Sequence, residues 1–251
     1  MKDLVSIITP MFNSIKYIEN TIISVQAQTY QNWEMIIIDD GSTDDSVKIV
    51  KSFLEEDERI NLICLADNNG SAVARNEGIR AATGRYIAFL DSDDIWMQEK
   101  LEKQIKFMND HKSPLSFTAY RKINENGEYL GKVNINKFKV GYLDLLKTNH
   151  IGCLTAIMDT KLLDGKIYMP LIEKRHDHGL WLSILKQGHT AYGLNEVLAD
   201  YRCRKDSISN NKIKTIPYQW KLYRKHENLN LISSIFYMIS YALHGISKWN
   251  E

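Results

Sequence analysis

Four short apolar runs, at residues 5–9, 33–38, 60–65 and 86–90, alternate with segments of helical apolar spacing. That alternation is what most constrains the fold. Val5-Ser6-Ile7-Ile8-Thr9 reads as a first strand that Pro10 ends. Ile18, Ile22 and Val25 then form a helical stripe running through Gln28. Trp33 to Ile38 is a second strand, followed by a helix through Val47, Val50 and Leu54 with Ser42 or Thr43 as N-cap. Ile60 to Leu65 is a third strand. Asn68-Asn69-Gly70-Ser71 turns into an Ala-rich helix from Ser71 to Ala82, and Tyr86 to Leu90 is a fourth strand. Strand and helix in this order imply parallel strands joined by crossover helices, hence an α/β fold.

Two acidic clusters follow apolar strands: Asp39-Asp40, and Asp91, Asp93 and Asp94 in the run Phe89-Leu90-Asp91-Ser92-Asp93-Asp94. Parallel strands carry both to the same edge of the sheet, where open α/β sheets bind ligands. An acidic loop taken alone serves equally well as a solvated turn. Two such loops on one edge favour a site. Crowded carboxylates repel, and oxygen-only ligands suit Mg²⁺ or Mn²⁺ bridging to a substrate phosphate.

The second half is less regular. It reads as a helix over Gln98 to His111 and strands over Leu115 to Arg121 and Tyr129 to Ile135, with Asn126-Gly127 as the hairpin turn. Further on come a short helix at Leu143 to Lys147, a strand at Cys153 to Met158, a helix from Asp177 to Lys186 and a last strand from Val197 to Arg202. Arg202 to Lys225 carries eight Lys or Arg and one acid, Asp206. It suits a solvated basic surface or a loop closing over a diphosphate. Asn228 to Lys248 places Leu229, Ile232, Ile235, Phe236, Ile239, Leu243 and Ile246 on one helical face. That face suits packing on the catalytic domain or a second copy of the chain, or an anionic membrane surface.

Composition excludes some classes. A net charge of +1 gives no reason to expect a nucleic-acid partner. Three widely spaced cysteines without C-x-x-C suggest reduced thiols and a cytosolic setting. No signal peptide is expected, and no apolar run approaches a membrane span.

The motifs also carry a resemblance. Val5-Ser6-Ile7-Ile8-Thr9-Pro10-Met11-Phe12-Asn13 is similar to the opening of family-2 inverting glycosyltransferases of the GT-A fold. Asp39-Asp40-Gly41-Ser42-Thr43-Asp44, Ala74-Arg75-Asn76 and Gly84-Arg85-Tyr86 through Asp94 resemble the signatures that follow, in order. Asp177-His178-Gly179-Leu180-Trp181-Leu182 resembles the helix start that carries the catalytic base. The resemblance covers about residues 3–205 and points to bacterial enzymes of teichuronic acid, capsule and other surface polysaccharides.

What the resemblance implies falls on particular residues. Thr9, Pro10 and Asp40 would hold the nucleoside, Asp40 at the edge of a uracil. Arg75 would lie near the nucleotide, Asp91 would bind the ribose, and Asp93 would be the main ligand of Mn²⁺ or Mg²⁺. Asp94, His176, His178 and Arg202 would be helpers near the diphosphate or acceptor, and Asp177 the general base. The donor would be a nucleotide sugar, most simply a UDP-sugar. The acceptor would be a saccharide or lipid-linked saccharide at the inner face of the plasma membrane. Residues 1–205 would form the catalytic domain, with a nucleotide and metal half at about 1–112 and an acceptor half at about 113–205. Residues 206–251 would add a basic loop and C-terminal helices. Two departures stand out: His176 replaces an acid common before the base, and Gly179 replaces a larger or polar residue.

Three other readings compete. A haloacid dehalogenase-type phosphatase also places D-x-D after a strand, but wants Thr or Val where Ile95 stands. A sugar-phosphate nucleotidyltransferase usually opens on a Gly-rich loop, and Thr9 to Ser14 contains no glycine. A non-catalytic nucleotide-sugar-binding subunit would not need so complete a set of carboxylates.

Overall fold

The computed structural model describes residues 3–135, 137–204 and 212–247. In chain order the elements are β1 (Val5–Met11), α1 (Ile18–Gln26), β2 (Trp33–Asp39), α2 (Ser46–Glu56), β3 (Ile60–Cys64), α3 (Ser71–Ala81), β4 (Tyr86–Phe89) and β5 (Ile95–Trp96). There follow α4 (Lys100–His111), β6 (Leu115–Ile123), β7 (Tyr129–Val133), β8 (Lys139–Val140), α5 (Tyr142–Lys147), β9 (Ile157–Asp159), α6 (His176–Lys186), β10 (Ala191–Arg202), α7 (Lys212–Lys221) and α8 (Leu231–Ser247).

One mixed sheet runs β3-β2-β1-β4-β9-β6-β10-β5, with β7 on β6 and β8 on β10. The first four strands in this order are mutually parallel. β9 is antiparallel to both β4 and β6, and β10 is parallel to β6. The C-terminal ends of β1, β2, β3, β4, β6 and β10 therefore share one edge. Apolar residues alternate along each strand, so the two faces bury separate cores. Ile8, Ile36 and Ile38 pack with Ala74 and Ile79 of α3, whereas Ile7, Met35 and Ile37 pack with Ile18 and Ile22 of α1.

Several boundaries differ from the sequence reading for local reasons. β1 passes through Pro10 to Met11. Its ladder with β4 ends at Ile8 opposite Phe89, so the missing N–H of Pro10 breaks no bond on that side. Cys153–Thr155 is a 3-10 turn rather than the start of a strand, because Thr155 N and Oγ1 both donate to Gly152 O, at 3.0 and 2.7 Å. β10 begins six residues before Val197, and its ladder with β6 shifts register between Leu194 and Val197. α4 starts at Lys100 because Ile95–Trp96 first pairs with Ala199 and Asp200. The hairpin stands as expected, with Gly127 at φ +86° joining β6 to β7.

Candidate active site

The loops after β1, β2, β3 and β4 meet at the shared edge and border a cavity of about 840 Å³. Pro10, Asp40, Asn68, Gly70, Arg75, Asp91, Asp93, Asp94, His176, Asp177 and Arg202 all line it. Sequence positions more than 160 residues apart thus converge on one space. Thr9 is fully buried behind Pro10. His178 is likewise buried away from the cavity, its ring bonded through Nε2 to Leu145 O at 2.9 Å.

The Asp39-Asp40 loop is satisfied by backbone donors. Asp40 accepts from Asn69 N at 2.9 Å and Gly70 N at 2.8 Å, tying the loop after β2 to the loop after β3. Ser42 N lies 3.3 Å from both Asp39 oxygens. Gly41, at φ +76°, permits the approach: a Cβ there would meet Asn68 N and Asp67 C at 3.0 Å.

The loop after β4 is balanced differently. Asp91 pairs with Arg75 of α3. Asp93 pairs with Arg204 at 2.9 Å. Asp94 is buried and accepts from Arg202 N at 2.8 Å through Oδ1, while its Oδ2 has no hydrogen-bond partner. Burial and the charge of Asp91 push the Asp93 carboxyl above the usual range. Burial, with Asp93 and Asp91, pushes Asp94 well above it. Arg202 acts as a strut: its Nε donates to Asp93 O at 2.8 Å and its Nη1 to Asn124 O and Glu125 O at 3.2 and 3.1 Å. Ser14 and Ser92 hydroxyls, 2.7 Å apart, pin this loop to the loop after β1.

A divalent cation fits the donor set around Asp93. Among the described residues no three His, Cys, Asp or Glu side chains form a ready cage. A Mg²⁺-type site usually takes one or two carboxylates and completes its shell with substrate phosphate and water. Burial and Asp91 oppose the Asp93 charge despite its pair with Arg204, and the buried Asp94 Oδ2 beside it has no hydrogen-bond partner, so a cation would relieve the cluster.

The opposite wall is the start of α6. Trp181 packs edge-on against Phe89 of β4 at 5.7 Å between ring centroids, which fixes the helix on the sheet. Asp177 lies in its first turn, where the helix dipole favours a carboxylate. Enclosure opposes the Asp177 charge, but the His178 N–H and the Arg175 charge help hold the carboxyl below the usual range. It is therefore ionised at neutral pH. Burial and the Arg75 charge hold His176 neutral, its pKa down to about 4. Arg75 Nη1 donates to its Nε2 at 2.7 Å. The guanidinium of Arg75 thus joins Asp91 of the acidic loop to the residue beside Asp177. Burial opposes that guanidinium's charge, and Asp91 maintains it.

Both departures from the family pattern find a local reason. A Cβ on residue 179 would meet Pro170 Cγ at 2.5 Å, so the approach of the 170 loop to α6 requires Gly179. An imidazole at 176 can accept a hydrogen bond from Arg75 without adding charge.

The structure adds cavity residues that the sequence reading left unnamed: Arg175, Arg204, Tyr120, Tyr201, His150 and Tyr241. The basic composition of 202–225 pointed toward Arg204. Residues 205–211 of that segment, read as a loop over a diphosphate, lie outside the described residues. The three cysteines are free thiols, as the sequence suggested.

Comparison with known proteins gives consistent matches. The family described as "Glycosyl transferase family 2" matches residues 6–164. TuaG of Bacillus subtilis (strain 168), named for teichuronic acid biosynthesis, is 45% identical over 98% of both chains. WfgD of Escherichia coli, named a UDP-Glc:alpha-D-GlcNAc-diphosphoundecaprenol beta-1,3-glucosyltransferase, is 40% identical over 98% of this chain and 94% of its own. In three dimensions, S. aureus TarS 1-349 in complex with UDP superposes with a TM-score of 0.70 at 22% identity, covering 95% of this chain and 70% of that one. The mannosyltransferase PcManGT from Pyrobaculum calidifontis, in complex with GDP-Man and Mn²⁺, gives 0.64 at 19% identity, over 90% and 63%.

Proposed function

The chain belongs to glycosyltransferase family 2 and has the GT-A fold, and we propose that it transfers a sugar from a UDP-sugar to a hydroxyl of a lipid-linked saccharide, with inversion. One observation carries this reading: Asp177 opens into the same cavity as Asp40, Asp91 and Asp93. A base on one wall and a nucleotide and cation site on the other is what a single in-line displacement requires. The WfgD name, with UDP-Glc as donor and a lipid diphosphate saccharide as acceptor, supports a UDP-sugar and a lipid-linked acceptor here. The TuaG name supports a role in cell-surface polysaccharide synthesis. Family membership displaces the phosphatase and nucleotidyltransferase readings. The catalytic unit in this reading is 1–205, with 206–251 appended.

In the proposed reaction the acceptor O–H gives its proton to an Asp177 carboxylate oxygen. The acceptor oxygen attacks the anomeric carbon from the side opposite the nucleotide. The bond from that carbon to the diphosphate oxygen breaks and its electron pair leaves with UDP. Asp93 would hold Mn²⁺ or Mg²⁺, which when bound supplies charge neutralisation at the diphosphate. Asp40 would face the uracil and Asp91 the ribose. Arg75 would hold Asp91 in place, and neutral His176 would keep the base side of the cavity free of a second negative charge.

The test pairs binding with turnover. Asp177→Asn should keep the thermal shift given by UDP with Mn²⁺, while sugar transfer falls about 10²–10⁴-fold, the usual worth of a placed general base. Near-normal transfer in Asp177→Asn would remove Asp177 from this role. A wild-type protein that UDP and Mn²⁺ do not stabilise would remove the donor assignment.

A further inference from the structure

α8 has two unlike sides. Inward, Tyr237 and Met238 pack on the main core, and Leu229 just before the helix does the same. Tyr241 reaches the cavity, where Arg175 Nη2 donates to its hydroxyl. Arg175 is the left-handed residue, φ +68°, that opens the helix bearing Asp177. Outward, Ile232 is 82% exposed, Ile235 46%, Phe236 58%, Ile239 57% and Leu243 61%. These five recur at helical spacing and form one stripe. A stripe of this kind on a soluble surface marks an interaction face.

Charge indicates what covers it. No acidic residue occurs between Asn228 and Ser247. Just before the helix, Lys221, Arg224 and Lys225 are exposed. Among the described residues no helix is long and apolar enough to cross a membrane. An exposed apolar stripe on one face of a helix, preceded by cations, is the pattern of a helix lying in the headgroup layer of an anionic bilayer. A second copy of the stripe would offer these cations no acid.

We propose that α8 seats the protein on an anionic lipid surface through Ile232, Ile235, Phe236, Ile239 and Leu243, with the cavity opening beside the bilayer. The inference rests on the lipid-linked acceptor reading and makes it more specific. The side of the helix that touches Arg175 borders the site, and the opposite side meets lipid. A lipid-borne acceptor then reaches Asp177 without leaving the membrane. Lys221, Arg224 and Lys225 hold the headgroups, and the stripe supplies the apolar burial.

Sedimentation with sucrose-loaded vesicles tests this on the full chain. The protein should pellet with phosphatidylcholine vesicles doped with phosphatidylglycerol, pellet less with phosphatidylcholine alone, and be released by salt. Ile235→Ser with Ile239→Ser should weaken partition at least about tenfold. Ile232→Ser, at the most exposed position, provides a milder variant should the pair fold poorly, and should weaken partition measurably. The thermal shift with UDP and Mn²⁺ should be unchanged in all of them, so loss of vesicle binding and loss of the donor site are read separately. Wild-type protein remaining in the supernatant, or substituted protein pelleting like wild type, would overturn the proposal. So would light scattering that shows a dimer dissociated by the same substitutions, which would make the second copy the occupant.

Discussion

The two acidic strand ends look alike in sequence and are held in opposite ways. Asp40 gives both oxygens to backbone N–H groups of the next loop, and Asp39 takes the Ser42 N–H. Their charges are met by the chain's own amides. Asp93 and Asp94 sit together with Asp91, and burial and mutual repulsion push both carboxyls up. Asp93 is met by the Arg204 side chain and one oxygen of Asp94 by the Arg202 backbone N–H, both late in the sequence, while Asp94 Oδ2 has no hydrogen-bond partner. One cluster is charge-balanced by the protein itself. The other carries a charge imbalance that a cation would correct. A carboxylate pair after a strand is therefore not a site by composition alone, and what distinguishes a site is how the charge is met.

The largest expected effect is at the unbalanced cluster. Asp93→Ala should lower sugar transfer at least about 10²-fold, since charge neutralisation at the diphosphate is worth several kcal/mol. It should also abolish the dependence of the UDP thermal shift on Mn²⁺. Without nucleotide or metal it should melt near wild type, because burial and repulsion from Asp91 offset the pair with Arg204. A marked loss of stability in the metal-free protein would mean that Asp93 is structural, and the contrast with Asp40 would fail.

Asp40→Ala should cost stability as well as its proposed contact to the uracil. It strands the amides of Asn69 and Gly70, and each unsatisfied donor costs about 1–3 kcal/mol when buried. These groups are partly exposed, so the loss should lie toward the low end, on the order of 2 kcal/mol in all. Urea denaturation of metal-free protein reads it directly. Unchanged stability would show that water replaces the carboxylate, and the joint would lose its structural meaning.

The first half of the molecule was legible because its elements are local. Ile7-Ile8, Met35-Ile36-Ile37-Ile38 and Tyr86 to Phe89 each announce a strand, and parallel crossover connections then force Asp40 and Asp91 to one edge. What could not be read are contacts between distant residues. Arg75 meets His176 across 101 positions, and no periodicity signals that. Tyr241 enters the cavity from a helix whose pattern displays only its apolar stripe. β5 and β8 are two residues each and too short to show a period. Asp177 was reached through resemblance. The helix that carries it is set on the sheet by Trp181 packing against Phe89, a contact no spacing displays.

The smallest effect tests the imbalance itself, at Asp94. A carboxyl whose folded-state pKa is raised binds more protons folded than unfolded. Its stabilising contribution is full below the ordinary value of 3.8 and is lost as pH rises through the raised value. His176 and His178, both lowered to about 4 mainly by burial, act oppositely: their contribution is full above the ordinary value of 6.5 and is lost as pH falls toward 4. Wild-type stability therefore mixes two slopes, and a difference between variants separates them. Asp94→Asn keeps an oxygen for the Arg202 N–H and never ionises. In EDTA it should be more stable than wild type at neutral pH. The gain should shrink steadily as pH falls toward 4. A gain that is constant with pH would locate the effect in packing. A loss at neutral pH would mean that Asp94 is ionised and fully paired with Arg202, making the second cluster as well satisfied as the first.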